Sequence, residues 1–396
     1  MATPAQRTNT WILDEWYDQS VAGTTGGYSG NFELWGAGWN YKGMLGQNSI
    51  RPAPSGGYSS PIQISGTTWS NIESNGAYAL AIKTDNTLWA WGTNEAGELG
   101  QNENNEPGYS SPVQIPGSWS EVDCTTADRV GGVKTDGTLW TWGPNTQGQS
   151  GRPSQPDNTS RSSPTQVGSD TTWSDMEMGD FTCMGLKTDG SLWVWGRAED
   201  GSLGQNSPDV NQSSPVQVSG TWSGSQISSD YNGCVVKSDG TLWVWGPTAF
   251  GNLGLNKGNY TEPRSSPTQI PGTWKQADTE VDLMGGIKTD GTLWMWGRNN
   301  DGACGINKAP DDQAGCSSPT QLPGTNWAAL SVQGATALAT KTDGTLWNWG
   351  MRAGGRLGNN TNTYFSSPVQ VPGTDWSTNK KKIAAGGQAH YYIKEF

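Results

Sequence analysis

Short apolar runs alternate with polar turns along most of the chain. Leu88-Trp89-Ala90-Trp91 shows the pattern, with Thr84-Asp85-Asn86-Thr87 before it and Gly92 after it. Trp89 and Trp91 stand two apart and face one side of a strand, while Leu88 and Ala90 face the other. A strand apolar on both sides predicts a sheet covered on both faces. The Leu-Trp step recurs at Trp35, Trp89, Trp140, Trp193, Trp243, Trp294 and Trp347, at intervals of 54, 51, 53, 50, 51 and 53 residues. A Ser-Ser-Pro triplet ends at Pro61, Pro112, Pro164, Pro215, Pro267, Pro319 and Pro368, so both markers occur seven times. An Asp-Gly pair such as Asp136-Gly137 separates two strand-like runs and favours a tight hairpin turn. A Ser-Ser-Pro-x-Gln segment adds an extended stretch, with Pro suited to an edge. A run such as Trp69 to Ile72 opens the next unit. Each unit of about 52 residues therefore predicts four strands.

Sheets stacked radially bury both faces, as in a β-propeller; a parallel solenoid would need shorter rungs and capped ends. The ends of the chain decide between them. The first copy begins late, at Phe32-Glu33-Leu34-Trp35-Gly36, and the last stops early, at Ile383-Ala384-Ala385-Gly386 and His390-Tyr391-Tyr392-Ile393-Lys394. What one end lacks the other supplies. The expected fold is all-β: a seven-bladed β-propeller over residues 32–396, whose closing blade takes two strands from each terminus and leaves no free sheet edge. Residues 1–31 form an N-terminal arm outside the repeats.

Composition narrows the function. Glycine (56) and proline (22) disfavour long helices, and 23 tryptophans argue against disorder. A net charge of −12 opposes nucleic acid and anionic membrane as partners. The basic cluster Lys380-Lys381-Lys382 reads as a solvated edge. No run of about 18 apolar residues is present, so membrane insertion is not expected. The first seven residues hold no apolar core of a secretory signal. The five cysteines (124, 183, 234, 304 and 316) lack CxxC pairing and read as reduced small hydrophobes of a protein made in a cytoplasm.

The unit Trp91-Gly92-Thr93-Asn94-Glu95-Ala96-Gly97-Glu98-Leu99-Gly100 resembles the repeat of the regulator of chromosome condensation family, in register over about residues 32–396. The resemblance implies a seven-bladed propeller closed by both termini. Relatives include a chromatin-binding nucleotide exchange factor, an ultraviolet-B photoreceptor and a secreted β-lactamase inhibitor. This chain has no basic tail and no Gly-Trp-Arg-His-Thr pattern, which leaves the inhibitor, a pure binding propeller, as the nearest functional analogy. A second resemblance is carried by Asn9-Thr10-Trp11-Ile12-Leu13-Asp14-Glu15-Trp16-Tyr17-Asp18-Gln19-Ser20-Val21-Ala22-Gly23-Thr24, which is similar to the start of repeat proteins encoded by marine bacteriophages and implies a virion component of tail or surface.

No catalytic constellation is legible. The single histidine, His390, falls in the closing strand and reads as structural. Asp136, Asp189, Asp239, Asp290 and Asp343 recur in the hairpin turn and read as turn formers. Asp311-Asp312 is a weak match for a Ca²⁺ loop, and we expect no metal and no cofactor. Two variable regions remain. The connections ahead of each repeat lysine ring the channel on one face and supply the candidate binding residues Tyr78, Asp128, Arg129, Asp180, Phe181, Asp230, Tyr231, Glu280 and Asp282, an acidic arc with interleaved aromatics. The stretches before each Ser-Ser-Pro, such as 102–109 and 256–264, should sit on the outer part of a blade, where loops on a rigid scaffold commonly bind. In the arm, Trp11, Ile12, Trp16 and Tyr17 suit either an anchor on a neighbouring subunit or a segment folded back on the propeller. The expected function is non-enzymatic: a phage virion protein, made in the host cytoplasm, that contacts other virion proteins or host surface molecules. A soluble intracellular inhibitor or scaffold is the alternative. A homo-oligomer fits the first reading, but no symmetry is legible in the chain.

Overall fold

The computed structural model describes residues 32–50, 56–104, 108–152, 160–206, 210–224, 226–256, 262–280, 282–308, 315–351, 353–361 and 363–396. The arm with Trp11, Ile12, Trp16 and Tyr17, and the pair Asp311-Asp312, lie outside these residues.

Seven four-stranded antiparallel sheets form the ring. In blade 1 the strands run outward as Trp69–Ser74, Tyr78–Lys83, Leu88–Gly92 and Tyr109–Ile115. Blades 2 to 6 repeat this order, with innermost strands Trp119–Cys124, Trp173–Met178, Gln226–Ser229, Trp274–Glu280 and Trp327–Gln333. Blade 7 is the expected composite. Ile383–Ala384 and Ala389–Glu395 come from one end of the chain, and Phe32–Trp39 and Gly57–Ile64 from the other. Phe32 pairs with Glu395 and Trp35 with Tyr392 across the join.

The repeat motif is a set of ties between neighbouring blades. The second tryptophan of each Trp-x-Trp-Gly is buried, and its indole Nε1 donates to a backbone carbonyl of the preceding blade. These bonds run from Trp91 to Met44, Trp142 to Glu98, Trp195 to Gln149, Trp245 to Ser202, Trp296 to Asn252 and Trp349 to Ala303, at 2.8–3.0 Å. In blade 7 the equivalent position is Ala37, and Tyr392 fills the slot from the adjacent strand. The glycine of Asn-x-x-Gly lies against the Ser-Ser-Pro strand of the next blade. A Cβ added at Gly97 would stand 2.6 Å from Ser162 Cα, and Gly97 has a φ of +87°. Only glycine meets both conditions. Close by, the Asn102 N–H donates to the Ser162 carbonyl at 2.6 Å, and Asn206, Asn256, Asn307 and Asn360 repeat the bond in later blades.

On the opposite end of each blade the repeat lysine lies between two indoles. Lys134 Nζ stands 5.0 Å from the Trp119 ring and 3.6 Å from that of Trp140, and Lys83, Lys187, Lys237, Lys288 and Lys341 repeat the arrangement. The outer indole donates to the turn hydroxyl, Trp140 Nε1 to Thr138 Oγ1 at 2.7 Å, and that hydroxyl donates to Asp136 Oδ1 at 2.6 Å. The Asp residues of the Thr-Asp-Gly turns are thus turn formers, as expected. All five cysteines are buried. His390 is fully buried, and burial together with the Arg356 charge pushes its pKa down to about 3.

The lysine cluster is not a solvated edge. Residues Lys380–Lys382 form a short 3-10 turn whose side chains enter or flank the central channel, a cavity of about 80 Å³. The channel wall carries Glu73, Asp123, Glu177 and Asp278 from blades 1, 2, 3 and 5. Lys380 Nζ meets Asp278 Oδ1 at 2.9 Å, Lys381 meets Glu121 at 2.5 Å, and Lys382 meets Glu395 at 2.7 Å. A net-acidic ring has collected the basic turn through charge pairing that no local pattern in Lys-Lys-Lys reveals. Asp278 and Asp123 also tie inner strands together, accepting from the backbone N–H of Val332 (2.8 Å) and Met178 (2.5 Å). Burial, then the neighbouring carboxylates, holds Glu73 and Glu177 above the ordinary range, and burial lifts Asp123 to about 7. Burial opposes the Lys380 charge, but Asp278, Glu177 and Glu73 outweigh it and raise its pKa.

Two stability outcomes are expected. Trp245→Ala should cost about 3–5 kcal/mol as a buried cavity, and Trp245→Phe about 1–2 kcal/mol through the lost indole bond, both read by denaturant unfolding. The raised channel carboxyls bind protons more tightly in the ring than in the unfolded chain, so stability should fall as pH rises from 5 to 9. Lys380→Met should cost about 2–3 kcal/mol at pH 8 and less at pH 5, where protonated carboxyls need no cation; thermal melts at both pH values check both points.

Candidate functional site

Four antiparallel strands place the first-to-second and third-to-fourth connections of a blade at the same end. The two variable regions of the sequence therefore share one face, the first between the inner strands and the second between the outer ones. On that face, blades 2 to 5 bring most of the candidate residues together.

Asp180 accepts from Thr126 Oγ1 at 2.8 Å and from the Ala127 N–H at 3.0 Å, while its own N–H donates to Asp230 Oδ1 at 2.9 Å. The Phe181 and Tyr231 rings meet edge to face at 5.1 Å. Arg129 is buried, bonds Thr146 Oγ1 at 2.9 Å and lies 5.6 Å from the Phe181 ring. Arg197 stands over the same ring at 5.1 Å and pairs with Glu199. Asp282 pairs with Arg298 at 3.3 Å. Burial first, and then the Asp230 charge, lifts Glu280 to about 8; burial, with Glu98 and Glu95, lifts Asp128 to about 7. Burial also raises Asp282 against the opposing charge of Arg298.

Tyr78 departs from the expected face. It is fully buried, and its hydroxyl donates to the Thr125 and Arg129 carbonyls at 3.2 and 3.3 Å, because its position begins the second strand and points into the interface with blade 2. Asp230 is buried as well, used as a tie between blades rather than as a rim group.

A cleft of about 500 Å³ lies across blades 3 and 4 on this face. Phe181 and Tyr231 form its inner wall, and Arg197 to Ser202, Pro247 to Asn252, Glu262, Pro263 and Asp282 the rest. A second cleft of about 300 Å³ is built on blade 5 from Glu280, Asp282, Arg298 and Asp301, against Gly334 and Ala335 of blade 6. The two occupy equivalent positions two blades apart, and Asp282 lines both. Sequence reasoning missed Arg197, Glu199, Asp200, Thr248, Arg298 and Asp301. The signal was present in the Trp-Gly-x-Asn motif. Asn94 Oδ1 accepts from the Leu99 N–H at 3.1 Å and its Nδ2 donates to the Glu103 carbonyl at 3.0 Å, which ties the loop shut; Asn40 does the same in blade 7. Blades 3 and 4 carry Ala198 and Thr248 at this position. Blade 6 carries Arg352 there, so three loops lack the asparagine, and those of blades 3 and 4 border this cleft.

Comparison with known proteins agrees with the repeat reading. Residues 136–186, 189–228 and 290–333 match the model of the regulator of chromosome condensation (RCC1) repeat. The chain is similar to the RCC1 domain-containing protein RUG3, mitochondrial, of Arabidopsis thaliana, 27% identical over 48% of this chain and 43% of that protein. It is also similar to the human Protein RCC2, 32% identical over 33% of this chain and 25% of that one. The matched region thus spans less than half the length of these curated relatives. Among solved structures, human WBSCR16 superposes with a TM-score of 0.77 at 18% identity, covering 92% of this chain and 99% of that one. Prp20p of Saccharomyces cerevisiae superposes with a TM-score of 0.77 at 17% identity, covering 93% and 92%. At these identities the superpositions show the fold alone: the chain is a seven-bladed β-propeller, and three stretches of it match the RCC1 repeat.

Proposed function

We propose that the protein is a non-enzymatic binding module that engages another protein through the loop face of its propeller. The observation that carries this reading is the clustering of half-buried aromatic, basic and acidic side chains around two clefts on that face, with Phe181 and Tyr231 at the centre. The opposite face instead repeats the same lysine–tryptophan and aspartate–threonine contacts in successive blades. A rigid ring with one variable face is a scaffold for recognition. Prp20p binds Gsp1p and histones, which is in keeping with a protein partner on this fold.

The finer reading is a phage virion component whose propeller contacts host surface molecules or neighbouring virion proteins. Its support is the similarity of residues 9–24 to the opening of phage-encoded repeat proteins, together with the acidic composition. An anchor through Trp11, Ile12, Trp16 and Tyr17 belongs to this reading. The soluble inhibitor or scaffold is its rival.

A photoreactive phenylalanine at Tyr231, and a second at Asp375 on the opposite face, separate the outcomes in the source material. Cross-links to a discrete protein at Tyr231 and not at Asp375 are expected; the reverse pattern would overturn the loop-face reading. Quantifying the chain in purified particles tests the finer claim: a fixed copy number per particle supports the virion role, and its absence moves the assignment to the soluble binder.

A further inference from the structure

We infer that the paired clefts of blades 3 to 6 form one groove for an extended protein segment carrying arginine or lysine side chains. The inference rests on the loop-face reading and assigns the chemistry of its partner. Asp282 lines both clefts and makes them continuous.

Charge selects the occupant. The larger cleft is lined by four carboxylates, Glu199, Asp200, Glu262 and Asp282, against one guanidinium, Arg197. Glu199, Asp200 and Glu262 are exposed at its lip. The smaller cleft adds Glu280 and Asp301, with Arg298 as its cation. With Glu280 lifted to about 8 and mostly neutral at pH 7, the five other carboxylates against two guanidiniums leave the groove net acidic by three charges. Arg129 and Arg197 already flank Phe181, so that ring has its cations and serves as a wall. Tyr231 is half-buried beside it. An incoming guanidinium or ammonium head meets the lip carboxylates, while its aliphatic stem packs along Tyr231 and Pro247.

The loops mark this as a built departure from the repeat. Asparagine ties the loop shut in blades 1 and 7, whereas Ala198, Thr248 and Arg352 replace it in blades 3, 4 and 6, the first two at the larger cleft. In blade 3 the Ala198 N–H is taken instead by Asn211 Oδ1 at 3.0 Å, from the far side of the loop. A segment rather than a small cation is the fitting source, because the acidic lining runs across blades 3 to 5 instead of converging on one point.

Fluorescence anisotropy with a labelled dodecapeptide of alternating glycine and arginine tests the groove on the whole chain. Saturable binding is expected, weakened about tenfold by the combined substitutions Asp200→Asn, Glu262→Gln and Asp282→Asn, and within about twofold of the original for Asp375→Asn on the opposite face. The same peptide with citrulline in place of arginine should not bind. Circular dichroism and the melting midpoint establish that the variants fold. Equal loss with Asp375→Asn, or no loss with the triple variant, would overturn the inference and leave the loop-face reading standing on its cross-links. Competition by spermidine at matched charge concentration would assign the site to small cations and overturn it likewise.

Discussion

Each blade is apolar on both faces, so none is stable alone, and the ring depends on how blades meet. The recurring contact is an indole that donates its proton to a carbonyl of the preceding blade while its ring fills the gap between sheets. Trp195 and Trp245 do this from the centre of a strand, where the side chain is fixed by the sheet and the acceptor by a glycine-tightened turn. Backbone bonds from Asn102 and its equivalents add a second tie farther out, and the channel carboxylates a third within. Such ties are between neighbours only, yet the closed ring makes them collective. Loss of any one must be absorbed by the two adjacent interfaces.

Because the ties use motif residues, the remaining positions are free to differ, and they differ at one end. The lysine–tryptophan face is occupied by contacts that turn and strand need for themselves. The loop face is not so constrained beyond its glycines and asparagines. Blades 3 and 4, which like blade 6 lack the asparagine, border the cleft that gathers carboxylates and aromatics of adjacent blades. The proposed recognition site thus lies where structural demand is least.

The fold is legible in the sequence because period, turn chemistry and both markers agree over seven copies, and because the incomplete first and last copies complement one another. The candidate site is legible only in part. Asp180, Phe181, Tyr231, Glu280 and Asp282 stand out as departures from the repeat, and the structure gathers them. Tyr78 is misplaced by sequence reasoning because an aromatic at a strand start looks the same whether it points outward or into the next blade. Lys380 is misplaced because its carboxylate partners come from blades 1, 3 and 5, between 102 and 307 residues away, beyond any local pattern. Arg197 and Asp200 are overlooked because they stand inside the repeat motif, ahead of the variable stretch, and only strand parity puts their loop on the same face as the channel connections.

The join in blade 7 has a consequence for mounting. Phe32 opens its strand directly opposite Glu395, at the end of the blade where the lysine–tryptophan turns lie. Chain entering at Phe32 and chain leaving past Glu395 therefore depart from one corner, on the side away from the clefts. A body held at that corner would hold the propeller by its back, as a dish on a stalk, with the acidic groove on the opposite face.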